Sequence, residues 1–106
     1  MIIVNITYTR PSKSAPLFSA SDELKTEFLQ KYRYTGKSIS TITTQSPDGL
    51  TAVVTNKWKS QADLDEYLSD PLCESTREAR EAHNVTHGIQ QAVDIAYEPD
   101  APVTGE

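Results

Sequence analysis

The chain has 106 residues, of which 37% are apolar, and a formal net charge of −5, so it is expected to form one domain with a thin core. It contains neither an apolar run near the ~18 residues of a membrane span nor a secretory signal. Its single cysteine, Cys73, excludes an internal disulfide framework and is typical of a reducing compartment, so we expect a cytoplasmic protein.

The first predicted elements are a strand, a loop and a helix. Residues 2–9 alternate between two faces, which is typical of a β-strand. Residues 10–20 contain two prolines and three serines and predict a loop long enough to fold over a pocket. Ser21 is the predicted N-cap of a helix that ends at Gly36. The apolar face of the strand consists of Ile2, Val4, Ile6 and Tyr8.

A hairpin is predicted next. Residues 37–45 and 50–58 have the composition of strands, and residues 46–49 join them. Within this connection Pro47 fixes its own φ, Asp48 can accept a local backbone hydrogen bond, and Gly49 tolerates positive φ.

A second helix is predicted to begin at the N-cap Ser60, to break where Asp70 precedes Pro71, and to restart there. The restarted helix is expected to run to about residue 85, before Gly88. Its weakly apolar stripe consists of Leu72, Thr76, Ala79 and His83. Residues 91–97 alternate again and predict a last strand.

The predicted order β-α-β-β-α-β is that of a ferredoxin-like plait, an α+β fold. It has a four-stranded antiparallel sheet with its helices on one face. We assign residues 1–98 to this single domain and residues 99–106 to a flexible C-terminal tail. The second face of the sheet is rich in Thr, Ser and Asn. A thin core and an uncovered semi-polar face predict a homodimer with a modestly apolar interface.

The placement of charge argues against nucleic acid as a partner. Residues 1–59 hold eight basic and four acidic side chains, whereas residues 60–106 hold two and eleven. An acidic half disfavours contact with phosphates. The predicted strand over residues 37–45 also contains none of the aromatic residues on which RNA-binding sheets stack bases. We therefore expect neither a nucleic-acid nor a membrane partner.

A few residues could carry chemistry on their own. His83 and His87 lie one helical turn apart and form a weak candidate pair of metal ligands. Since no third ligand is specified nearby, a surface or helix-capping role is favoured for both. Cys73, in the first turn of the restarted helix, is either a reactive thiol or, as is favoured, a small buried residue. Trp58 is either a core residue, which is favoured, or a platform for a ligand.

The stretch from Trp58 to Pro71 resembles the antibiotic-biosynthesis-monooxygenase family, in which a strand ends in Trp, a polar cap follows, and a helix carries an aromatic residue before a break. The predicted element order over residues 1–98 agrees with this resemblance. It implies a dimeric α+β barrel, in which two sheets pack face to face and each subunit holds a pocket between its sheet and its helices. The fold hosts several chemistries, so it does not fix one.

The resemblance also implies candidate site residues. The haem-degrading branch uses an Asn on the first strand, an aromatic residue in the second helix and a His as iron ligand. Here Asn5 and Tyr67 match the first two, whereas Arg77 stands at the His position and cannot ligate iron as imidazole does. This disfavours a haem-binding or haem-degrading function.

The cofactor-free oxygenases of the family need only a pocket for a phenolate-like substrate, because the substrate anion itself reacts with oxygen. The residues that could form such a pocket are Asn5, Asn56, Trp58, Tyr67 and Arg77. We therefore expect a homodimeric monooxygenase that uses no cofactor and acts on a small aromatic or quinol-type substrate. The alternative is a non-enzymatic dimeric module that binds a small ligand or a protein, because no acid, base or nucleophile is clearly poised for catalysis.

Overall fold

A computed structural model describes residues 1–97, and the tail assigned to residues 99–106 lies outside the described residues. The strands are β1 (Ile2–Thr9), β2 (Ser38–Gln45), β3 (Thr51–Trp58) and β4 (Gln90–Tyr97). The helices are α1 (Asp22–Phe28), which continues as a π-helical turn over Leu29–Arg33, α2 (Gln61–Leu68) and α3 (Pro71–His87). No helix in this part of the chain has the length and apolar content needed to cross a bilayer.

The four strands form one antiparallel sheet in the order β2-β3-β1-β4. The predicted α+β ferredoxin-like plait is therefore confirmed. In the register of the sheet, Val4 lies opposite Asn56 on β3 and Ile95 on β4, whereas Asn5 lies opposite Thr55 and Asp94. Because successive side chains of a strand point to opposite faces, these two rows of residues occupy different faces of the sheet.

Local signals set the helix ends. Side-chain oxygens of Ser21, Ser60 and Asp70 accept hydrogen bonds from backbone N–H groups at the starts of α1, α2 and α3. Each bond satisfies a donor that the first helical turn leaves without an intrahelical partner. At the other end of α3, Gly88 adopts φ +67°, and the helix extends to His87, two residues past the predicted end.

The core lies between the helices and the face of the sheet that carries Ile2 and Val4. These two residues pack with Trp58 of β3, Leu64 of α2 and Leu72 of α3, and Tyr32 completes the buried cluster. Burial of such side chains stabilises the fold by roughly 1.5–3 kcal/mol for each large apolar residue. All three helical segments therefore pack on this face.

The inner face of α3 differs from the predicted stripe. Ala79 is exposed, whereas Arg80 is partly buried and Asn84 is buried. The face follows a four-residue spacing from Leu72 through Thr76, which is why it meets position 80 rather than 79. The half of α3 that faces the sheet is consequently more polar than we predicted.

The opposite face of the sheet carries Asn5, Thr7, Ile42 and Thr55. On this face Oγ1 of Thr55 donates a hydrogen bond to Oδ1 of Asn5 at 2.7 Å. Ile42, in the edge strand β2, is 56% exposed. The surface is thus semi-polar, with an aliphatic side chain open to solvent.

Candidate functional site

A cavity lies between the helices and the core-facing side of the sheet. It has two lobes, with volumes of about 310 and 210 Å³. The lobes share three lining residues, which are Phe28, Asn56 and Tyr67. The larger lobe alone, and the two lobes together, reach the size range of small-molecule binding sites.

Aromatic rings form one wall of the cavity. Trp58 at the end of β3 stacks on Tyr67 of α2, with 5.1 Å between ring centroids and an interplanar angle of 28°. Phe28 of α1 meets the Tyr67 ring edge to face at 5.4 Å. Trp58 is only 3% exposed and belongs to the core cluster, yet it also lines the smaller lobe. The core and ligand-platform interpretations of Trp58 are therefore compatible.

Asn56 is held by neighbouring side chains in one orientation. Nη2 of Arg33 donates to Oγ1 of Thr41 at 2.6 Å, and this hydroxyl donates in turn to Oδ1 of Asn56 at 2.8 Å. Since Thr41 engages the amide oxygen, Nδ2 of Asn56 is the group available to donate to a ligand in the cavity.

The polar side of the cavity is cationic. Lys25 and Arg33 line the larger lobe, and Arg77 and Arg80 of α3 line the smaller one. Arg77 is exposed, which places it at the mouth of its lobe. None of the described lining residues is Asp, Glu or His. The chain carries a net charge of −5, so this concentration of positive charge favours an anionic ligand specifically at the cavity.

The hydroxyl of Tyr67 remains protonated at neutral pH. Burial raises the pKa of Tyr67 well above its ordinary range, and the neighbouring Cys73 raises this pKa further. The tyrosine can therefore donate a hydrogen bond to a ligand but cannot act as a base. Cys73 is buried and lines the smaller lobe, which agrees with the favoured interpretation of a small buried residue.

The cavity unites four of the five site residues proposed from the sequence. Asn56, Trp58, Tyr67 and Arg77 all line the smaller lobe. Asn5 does not, because its neighbours Val4 and Ile6 line this lobe and the alternation of the strand turns Asn5 to the opposite face. The assignment of Asn5 to the pocket is therefore wrong.

The two histidines lie away from the cavity. Nε2 of His83 is 2.6 Å from the carbonyl oxygen of Pro16, and the ring of Phe18 packs against His83 with a centroid separation of 5.7 Å. The His83 and His87 rings are 4.4 Å apart. Within residues 1–97, no group of three His, Cys, Asp or Glu side chains could hold a metal ion.

The residues present do not fit an iron-ligating role toward haem. Position 77 holds arginine, which has no lone pair to give to iron. The nearest histidine along α3, His83, is engaged with the loop at Pro16 rather than with the cavity.

Sequence reasoning missed several lining residues on which the character of the cavity depends, among them Lys25, Phe28, Arg33, Thr41 and Arg80. Phe28 follows Leu24 by four residues in the first helix, a spacing that predicts an inward-facing side chain, but its position beside the pocket depends on tertiary packing. Arg80 follows Thr76 by four residues on the inner face of α3, and a strict four-residue spacing from Leu72 would have found it.

The backbone is similar to several solved structures. A Mycobacterium tuberculosis protein named Rv0793 matches with a TM-score of 0.63 and 20% identity, over 97% of this chain and 100% of the other. A Deinococcus radiodurans protein named as an antibiotic biosynthesis monooxygenase matches with a TM-score of 0.58 and 11% identity, over 99% and 100%. A Caulobacter crescentus protein with the same family name matches with a TM-score of 0.58 and 13% identity, over 92% and 91%.

These similarities establish an antibiotic-biosynthesis-monooxygenase-like fold, as the resemblance of residues 58–71 implied. No protein-family model matches the chain, and no curated protein matches its sequence. At such low sequence identity the similarity shows the fold alone. The chemistry of the site depends on the residues that this chain places there.

Proposed function

We propose that the chain binds a small aromatic anion in the cavity and acts on it as a cofactor-independent monooxygenase. The observation that carries this proposal is the composition of the cavity, where aromatic rings and four cationic side chains meet without an acidic residue among the described lining. A phenolate ring suits this site, since its face stacks on aromatic side chains and its oxygen attracts cations.

The residues of the smaller lobe make two kinds of contact with the ligand, apolar and polar. The rings of Trp58 and Tyr67 supply the apolar wall. Nδ2 of Asn56 and the guanidinium group of Arg77 supply donors for the anionic oxygen. The positive charge of Arg77 and a hydrogen bond from Asn56 lower the free energy of the phenolate relative to the phenol, so the ligand ionises more readily when bound.

The proposed reaction converts a quinol and one molecule of oxygen into a hydroxyquinone and one molecule of water. The ring anion supplies the electrons. One oxygen atom forms a new bond to a ring carbon that loses its hydrogen, and the other leaves as water. Four electrons pass from the ring to oxygen, so the atoms and electrons balance without an added reductant.

The described lining of the cavity supplies neither a carboxylate nor an imidazole as a general base, and its tyrosine, Tyr67, stays protonated. The substrate must therefore enter as an anion or ionise against solvent. We expect kcat/KM to rise with pH through the pKa of the free substrate, and the position of this rise to move with that pKa across substituted quinols.

A second candidate function is a non-enzymatic binding module. The same shortage of acids and bases in the lining favours it, because binding an aromatic anion needs the cations and rings but no proton transfer. In either function we propose a homodimer formed through the semi-polar face of the sheet.

Oxygen uptake with 1,4-dihydroxynaphthalene tests the proposal, with the rate in the absence of protein subtracted as autoxidation. Wild-type protein should accelerate uptake and place one atom from labelled oxygen in the quinone product. Arg77→Met should lower kcat/KM by about tenfold or more, the scale of one charge-assisted hydrogen bond. Lys13→Met removes the same charge at an exposed position away from the cavity lining and should behave as wild type.

Binding of 2-naphthoate, a stable anion, separates the two candidate functions. Quenching of Trp58, the single tryptophan of the chain, reports occupancy of the smaller lobe. Quenching without accelerated oxygen uptake would favour the binding module. No quenching and no uptake would overturn both functions.

A further inference from the structure

The inner face of α3 carries two buried polar atoms without a hydrogen-bond partner among the described residues, Nε of Arg80 and Oδ1 of Asn84. Asn84 is only 6% exposed, and its other amide atom, Nδ2, donates to Oε1 of Gln91 at 3.2 Å. Such atoms are rare in native proteins, because burial removes the hydrogen bonds that they would make with water. Two of them on one helix face call for a physical explanation.

The two atoms belong to one region between α3 and the sheet. Positions 80 and 84 are one helical turn apart, which places them on the same face of α3. The Arg80 guanidinium lies close enough to the Tyr8 hydroxyl to oppose the rise in its pKa that burial causes. Gln91, which holds Asn84, lies directly opposite Tyr8 in the sheet. Because Arg80 also lines the smaller lobe, this region adjoins the cavity.

The two unpartnered atoms have complementary chemistry. Nε of Arg80 carries a hydrogen and can only donate, whereas Oδ1 of Asn84 can only accept. A hydroxyl group satisfies both, because its oxygen accepts from Arg80 while its hydrogen is donated to Asn84. A phenolate or carboxylate oxygen can satisfy Arg80 alone, and an ammonium group can satisfy Asn84 alone.

We propose that Arg80 and Asn84 form a subsite for an un-ionised hydroxyl group of the ligand. This inference rests on the proposed function, in which Asn56 and Arg77 hold an anionic oxygen of the same molecule. The ligand is then an aromatic anion that carries a second, protonated oxygen. Asn84 is its specificity-determining residue, because its carbonyl oxygen distinguishes a hydroxyl from an ether or a bare ring.

Three matched anions test the subsite by calorimetry at neutral pH: 6-hydroxy-2-naphthoate, 6-methoxy-2-naphthoate and 2-naphthoate. The hydroxyl can accept and donate, the methoxy group can only accept, and the unsubstituted ring can do neither. Wild-type protein should bind the hydroxyl compound about tenfold more tightly than either of the others, since a group that cannot pair leaves the buried Asn84 oxygen unsatisfied.

Variants at position 84 then identify the residue responsible. Asn84→Leu should reduce the preference for the hydroxyl compound to within about twofold, with affinity for 2-naphthoate unchanged, because only the acceptor has been removed. Asn84→Asp keeps an acceptor and should keep a preference. Gln30→Leu removes an exposed amide that lines neither lobe of the cavity, so it is the matched control and should resemble wild type.

The possible failures are distinguishable. If wild-type protein binds 2-naphthoate but shows no hydroxyl preference, the subsite is overturned and the proposed anion site stands. A preference that survives in Asn84→Leu likewise overturns the role of Asn84. If none of the three anions binds, the proposed function fails and the subsite fails with it.

Discussion

Tyr32 shows how one buried hydroxyl connects two helical segments. The side chain is 2% exposed, and its hydroxyl donates to Oδ2 of Asp70, whose other carboxylate oxygen caps α3 at the N–H of Leu72. The bond from Tyr32 and the N–H of Leu72 hold the pKa of Asp70 below its ordinary value of 3.8. Burial and the same bond raise the pKa of Tyr32 far above its ordinary range.

We predict that Tyr32→Phe lowers the free energy of unfolding by about 1.5–3 kcal/mol at neutral pH, the range for a hydrogen bond to a charged group. Asp70 has a lower pKa in the folded state, so the interaction stabilises fully above 3.8 and is lost as pH falls through the folded-state pKa. In urea denaturation, the difference in the free energy of unfolding between wild type and Tyr32→Phe should therefore shrink as the pH falls below 3.8.

Tyr34→Phe is the matched control, because Tyr34 is 73% exposed and loses no buried hydrogen bond. Equal stability of Tyr32→Phe and wild type at neutral pH would show that the Asp70 bond contributes nothing to folding.

Asn5 and Asn56 show which properties of a single residue can be predicted from the sequence and which cannot. Asn56 and Asn5 both lie on predicted strands, and the resemblance to the family predicts both in a pocket. Their separation follows from strand register, which places Asn56 opposite Val4 on the core-facing side and leaves Asn5 opposite Thr55 on the other. The alternation of β1 already placed Asn5 on the polar face. A family role inferred from position along the chain carries no information about which face of a strand the side chain occupies, whereas the alternation of the strand does.

At the scale of elements, the helices and strands could be predicted because their ends depend on neighbouring residues. The N-caps Ser60 and Asp70 and the Pro47-Asp48-Gly49 turn require contacts over a few positions only, and the structure has all of them. The cavity could be predicted only in part. Arg33 and Arg80 line it because their helices pack against strands that are distant in the sequence. The register of that packing is a tertiary property.

The end of α3 gives a prediction for an element. Gly88 adopts φ +67°, and a β-carbon there would meet Cγ of Pro11 at 3.6 Å, an ordinary contact. Backbone strain alone should therefore determine the effect of substitution. Gly88→Ala is expected to cost about 1–2 kcal/mol of stability, measured by thermal or urea unfolding.

Asparagine tolerates the left-handed conformation better than alanine. Gly88→Asn should accordingly recover part of the lost stability. Equal stability of Gly88→Ala and Gly88→Asn would indicate that the backbone conformation of residue 88 does not govern this helix end.

For the whole molecule, the exposed face of the sheet gives a prediction about assembly. Ile42 is 56% exposed on the face opposite the helices, and we propose that a second copy of the chain covers this face. Light scattering should give wild type a mass twice the 11.8 kDa of one chain. Ile42→Glu should shift the mass toward that of one chain, because a charge buried between two sheets is not solvated.

Val85→Glu is the control, since Val85 is 83% exposed on α3, away from the sheet. A dimer that survives Ile42→Glu, or a wild-type protein that is monomeric at micromolar concentration, would contradict assembly through this face.

The polar side chains on the inner face of α3 lower the stability of the ligand-free protein and favour recognition of a ligand. Aliphatic side chains at positions 80 and 84 would enlarge a core that is already thin, so the native residues make the ligand-free chain less stable than its architecture allows. A molecule that satisfies both residues would bind the folded state alone and raise the melting temperature. Thermal unfolding in a library of small aromatic compounds thus offers a direct way to identify the natural ligand.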